Sequence, residues 1–210
     1  GSLNLPMRFA WGAGATGTNG AAYLLAIRAL DLAPWRSIAG TQLPAGRADL
    51  ELRITSERDG HLLRGGITGG LSELSFPGAP GSAVGLRLDL KGAGKLDDFQ
   101  VATVEQFVLQ LQQGAQRLAQ ASALAQVNLP RQEFSGQVTG DASLVASMKV
   151  FPVAGADLTG GKATLSAQVS GKSGETNASL VVTLGELSGV LQGVALKDYE
   201  ARLDLAGSAN

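Results

Sequence analysis

The chain contains no cysteine, a single histidine, and aromatic residues at only 5% of its 210 positions. Without cysteine it has neither a disulfide framework nor a thiolate metal site, although an oxidising compartment stays open to a fold that is stable without bridges. A Ser–His–Asp or His-based metal centre would have to use His61. That residue sits beside the turn signal Asp59-Gly60, with no G-x-S-x-G motif and no second ligand nearby, and reads as an exposed turn residue. So few aromatics supply neither the two girdles of an outer-membrane barrel nor a stacking platform for bases or sugars. Charge of one sign is lacking too. The 17 basic and 18 acidic residues are scattered singly, giving a formal charge of −1, so there is no basic stripe for nucleic acid and no acidic tail. No apolar run approaches the roughly 20 residues of a spanning helix, and the N-terminus lacks the regions of a signal peptide. Gly1-Ser2 reads as a cloning scar.

What is present is alternation. Apolar residues make up 44% of the chain, enough for one β-rich domain over 1–210, and the 29 glycines and 7 prolines suit turns and bends. From Phe134 to Val150 the even positions are apolar or small and the odd ones mostly polar, which predicts one strand of unusual length. Shorter runs repeat the pattern. Leu50, Leu52 and Ile54 alternate with charged neighbours before Asp59-Gly60; Leu63, Gly65 and Ile67 follow, with a break expected at Gly69-Gly70. Val84 to Leu90 alternates after the turn-rich stretch Pro77–Gly81, and Ala163 to Val169 is expected to pair with Ala178 to Leu184 through a turn at Gly171–Glu175. Tyr199 to Leu205 reads as a last strand, at the edge of the domain or at the cut of a longer protein.

One segment departs from this rhythm. Thr103 to Val127 is rich in Ala, Gln and Leu, and Val104, Phe107, Val108, Leu111, Ala115 and Leu118 recur at helical spacing, which predicts one main α-helix inserted at 103–127 and ended by Pro130. Asp97-Asp98 then precedes the N-terminus of that helix, where negative charge complements its dipole. Ala21 to Leu32 fits strand and helix equally well.

Three motifs invite chemistry and decline it. Gly12-Ala13-Gly14-Ala15-Thr16-Gly17 spells G-x-G-x-x-G, but no alternating strands and helices follow, and a hairpin turning at Thr18-Asn19-Gly20 explains the glycines. Ser170–Gly174 echoes a phosphate loop without its first glycine and lies between two alternating strands, so it reads as a turn. Asn177-Ala178-Ser179 matches the three-residue glycosylation acceptor, a pattern common by chance.

The segments Phe134–Leu144, Leu187–Leu205 and Ala83–Leu90, short alternating strands joined by Gly and Asp turns, resemble the repeating units of the AsmA-like and TamB-like bridge proteins of Gram-negative envelopes. The resemblance covers Gly46–Leu96 and Arg131–Gly207. It implies a mainly β fold, an elongated, twisted and curved antiparallel sheet forming a groove, whose apolar concave side shields phospholipid acyl chains in inter-membrane lipid transport or outer-membrane assembly. It also implies a periplasmic location, an inner-membrane anchor outside this sequence, and envelope assembly proteins or neighbouring repeats of the same chain as further partners. No catalytic residue, metal or cofactor is expected. The lipid-facing set is Leu50, Leu52, Ile54, Leu86, Leu88, Leu90, Phe134, Val138, Leu144, Leu165, Val169, Leu180, Val182, Leu203 and Leu205, which should share one side. Two alternatives use the same pattern: a closed β-sandwich acting as an adhesion or assembly module, and an enzyme whose catalytic groups converge in a polar pocket.

Overall fold

The computed structural model describes residues 7–13, 21–39, 44–75 and 84–209. They form one antiparallel sheet of eleven strands in which every strand pairs with its neighbours in sequence: β1 (Met7–Ala13), β2 (Ala21–Asp31), β3 (Ala45–Glu57), β4 (Leu62–Ser75), β5 (Leu86–Asp97), β6 (Val101–Gln113), β7 (Gln116–Asn128), β8 (Glu133–Ser143), β9 (Ala156–Lys172), β10 (Glu175–Leu191) and β11 (Val194–Ala209). Two short helices interrupt the meander, α1 (Arg36–Ala39) and α2 (Leu144–Val150). A two-sheet sandwich would need a second layer. Among the described residues there is one sheet, and β1 and β11 remain at its two edges.

The sheet leaves far more surface in water than a compact protein does. The accessible area is 13331 Å², where a folded monomer of 21.4 kDa typically exposes roughly 9,100 Å². Few side chains are fully buried, and they cluster at one end. Leu74, Leu86 and Leu118 pack with Ala146 and Val150 of α2, flanked by Leu71, Leu88 and Leu111.

The helix predicted at 103–127 is instead the hairpin β6–β7, which turns at Gly114 with φ +58°, a conformation glycine adopts freely. Bulges explain the false helical period. The register shifts between Val104 and Phe107 and again beside Leu118, so residues three apart fall on one face of a strand. The expected long strand at 134–150 stops at Ser143, and Leu144 opens α2. The Ser143 hydroxyl accepts from the Ala146 N–H at 3.3 Å, an N-cap, and Ala146 and Val150 are buried four residues apart. An even-numbered stripe satisfies a strand and an i, i+4 helix face equally, which is why the alternation ran through the boundary.

Three smaller expectations also resolve. Gly69-Gly70 is no break, since both residues sit inside β4 and pair with Leu90 and Asp89. The ambiguous 21–32 stretch is β2, paired with β1 from Met7↔Ile27 to Ala13↔Ala21, while the turn expected at Thr18–Gly20 lies outside the described residues. Asp97-Asp98 precedes no helix. Asp97 ends β5, where it meets Arg58 at 2.8 Å, and Asp98 meets His61 Nδ1 at 2.8 Å in the adjoining turns.

Candidate functional site

Opposed residues in an antiparallel pair point to the same face, so the register can be followed from strand to strand. One cross-strand row runs Ile27, Leu50, Gly69, Leu90, Leu109, Ala121, Gly140, Leu165, Val182, Leu203. The next runs Leu25, Leu52, Ile67, Gly92, Phe107, Ala123, Val138, Ala167, Leu180, Leu205. Across ten strands neither row holds a polar side chain. Flanking rows on the same face contain Ile54, Leu88, Phe134 and Val169, while Leu86 lies opposite Leu74 at the capped end. The register therefore places every strand residue of the expected set on one face. Leu144 is the exception in kind, not in side: it belongs to α2, yet its side chain approaches Gly161 together with that of Leu187.

Small residues opposite large ones let the face pack. Gly92 leaves room for Ile67 and Phe107 to close over its backbone, and the Phe134 ring covers Gly171. Ala123, Val138, Val169, Leu180 and Leu205 line a cavity of about 610 Å³ that touches all five strands of β7–β11, a size within the roughly 300–1,000 Å³ of ligand pockets. The same lining stays in contact with solvent, with Val138 39%, Val169 39% and Leu205 53% exposed.

The other face carries the charges. Arg87 meets Asp89 at 2.8 Å, Lys172 meets Glu133 at 2.7 Å, Arg202 meets Asp204 at 2.8 Å, and Arg28 pairs with Glu51. Lys172, by hydrogen bond and by charge, holds the Glu133 carboxyl below the ordinary carboxylate range, and Arg202 does the same to Asp204. A larger cavity of about 1130 Å³ is bordered by the polar rows Gln126–Ser135–Ser170–Asn177–Ser208 and Gln137–Gln168–Ser179. Amides and hydroxyls there suit water, whereas the smaller cavity on the apolar face suits hydrocarbon.

His61 is exposed with Asp98 as partner, no group of three or more His, Asp or Glu is placed to hold a metal among the described residues, and in Ser170–Gly174 the first three residues end β9 while Ser173 and Gly174, both at positive φ, make the hairpin turn. Alternation found the apolar face. What it missed is that α2 covers one end of it, a helix signalled only by Ser143 ahead of Ala146 and Val150. Comparison of the chain with protein-family models, with curated proteins and with solved structures returns no match.

Proposed function

We propose that the chain is a non-enzymatic envelope module whose apolar face binds and shields phospholipid acyl chains, as in the AsmA-like and TamB-like proteins that its repeating text resembles. The observation that carries this reading is the pair of uncharged rows crossing ten strands, left open to solvent over β7–β11. Monomeric proteins rarely leave an apolar patch of more than a few hundred Å² without a use for it. Hydrocarbon is a fitting occupant because covering such a surface gains roughly 25 cal/mol per Å² and needs no directional partner. Charged headgroups would be excluded from the face and held at its rim. On this reading the chain works in the periplasm, contributing to lipid passage between membranes or to outer-membrane assembly.

Native mass spectrometry with lipid extraction, on protein expressed in a Gram-negative host and purified from its envelope, tests the proposal. Co-purifying phospholipid is expected, and Val138→Asp or Leu205→Asp should abolish it while circular dichroism retains the β signal. Lipid-free wild-type protein, or retention of lipid by both variants, overturns the reading. The first of those results would favour an apolar face that serves a protein partner.

A further inference from the structure

Among the described residues the outer edge of β11 has no partner strand. β11 pairs only with β10, runs for 16 residues without proline, and keeps an unshifted register from Ala201 to Ala209. Natural edges are usually blunted by brevity, proline, bulges or inward charges. Here the apolar face instead continues to the rim, with Tyr199, Leu203 and Leu205 each more than half exposed.

We infer that β11 is a self-association edge, pairing antiparallel with β11 of a second copy about a two-fold axis at Leu203. This inference is independent of lipid binding. The sequence of the strand is what selects the register. With Leu203 opposite its own copy, Arg202 faces the partner's Asp204 and Asp204 faces the partner's Arg202, giving two symmetric opposite-charge pairs on the charged face. On the apolar face Ala201 meets the partner's Leu205, and Tyr199 falls opposite the partner's Gly207. That aromatic-over-glycine pairing already occurs within the sheet, where Phe134 covers Gly171.

Neighbouring registers that keep the faces aligned are worse. Centring on Asp204 or on Arg202 sets like charges directly opposite each other, and centring on Ala201 offsets a pairing of Arg202 with the partner's Glu200 by bringing Asp198 against the partner's Asp204. Moving the axis to Leu205 leaves Arg202 opposite a serine. An odd slip between residues would put leucines against carboxylates. The Leu203 axis is isologous, so it closes as a dimer and does not grow into a fibre. It also joins two apolar faces into one uninterrupted surface.

The experiment is light scattering coupled to gel filtration on the full chain in lipid-free, detergent-free buffer, with native mass spectrometry across a dilution series. Wild type should run at twice 21.4 kDa. Arg202→Asp and Asp204→Arg should each weaken dimerisation on the order of tenfold or more, because two pairs change from opposite to like charge. The double variant R202D/D204R should restore the dimer. Thermal unfolding of each variant separates loss of association from loss of fold, since Arg202 and Asp204 also pair within one strand. A monomeric wild type, a ladder of higher masses, or a double variant that is folded yet monomeric overturns the inference.

Discussion

One apolar face ends in two different ways. At the α2 end, Leu86, Leu118 and Val150 are at most 1% exposed and form the only tight core among the described residues. Over β7–β11, residues of the two long cross-strand rows such as Val138, Leu165, Leu203 and Leu205 are 37–53% exposed. The strand sequences alone do not decide which end closes. A seven-residue helix does, by laying Ala146 and Val150 on leucines that the sheet had already aligned. Burial therefore measures what covers a face, and amphipathic alternation measures only that a face exists.

Leu86→Ala against Leu205→Ala is the sharpest way to break that comparison. The first removes a fully buried side chain and should lower unfolding free energy by about 2–5 kcal/mol. The second, at a half-exposed site, should fall within about 1 kcal/mol of wild type; urea titration of the two proteins measures the difference. Equal losses would mean that the open end is covered in solution. Gly171→Ala probes the packing at the open end, because a methyl there collides with the Phe134 ring and the Glu175 carbonyl. A loss of about 1–3 kcal/mol is expected, restored in part by pairing the substitution with Phe134→Leu.

Ser143→Ala removes the cap of α2 and should cost about 1 kcal/mol. Hydrogen exchange would localise the effect, with amides of α2 opening faster and those of β10 and β11 unchanged. Acid titration carries the smallest effect. Glu133 and Asp204 are held below their ordinary values in the folded state by Lys172 and Arg202. Their contribution is present above the unfolded carboxylate pKa and is lost as pH falls through the lowered one. Both pairs lie in water, so the loss should be slight and should shrink further with salt; Glu133→Gln should flatten that part of the stability profile.

Legibility in the sequence followed regularity. The hairpin from Ala163 to Leu184 could be read residue by residue, because its alternation is unbroken and Ser173-Gly174 supplies the turn; the observed pairs Leu165↔Val182 and Ala167↔Leu180 are those the spacing dictates. β6–β7 was hidden by its own bulges. Each extra residue converts a two-residue step into a three-residue one, and Ala, Gln and Leu then lend the segment a helical propensity that strand pairing overrides. α2 was hidden for the opposite reason, since nothing in its stripe conflicts with the strand before it. The apolar side chains of the candidate site were visible one by one. Their assembly into uninterrupted rows was not, because row membership depends on nine registers that only the paired strands define.

The meander has a further consequence for how the molecule comes into being. Since each strand is bonded only to the strands immediately before and after it, no closure of a distant loop has to precede the rest, and the sheet can form hairpin by hairpin in the order of synthesis. Length then becomes a quantity that gene duplication adjusts without rewiring: another hairpin lengthens the surface by about 10 Å and leaves existing pairings untouched.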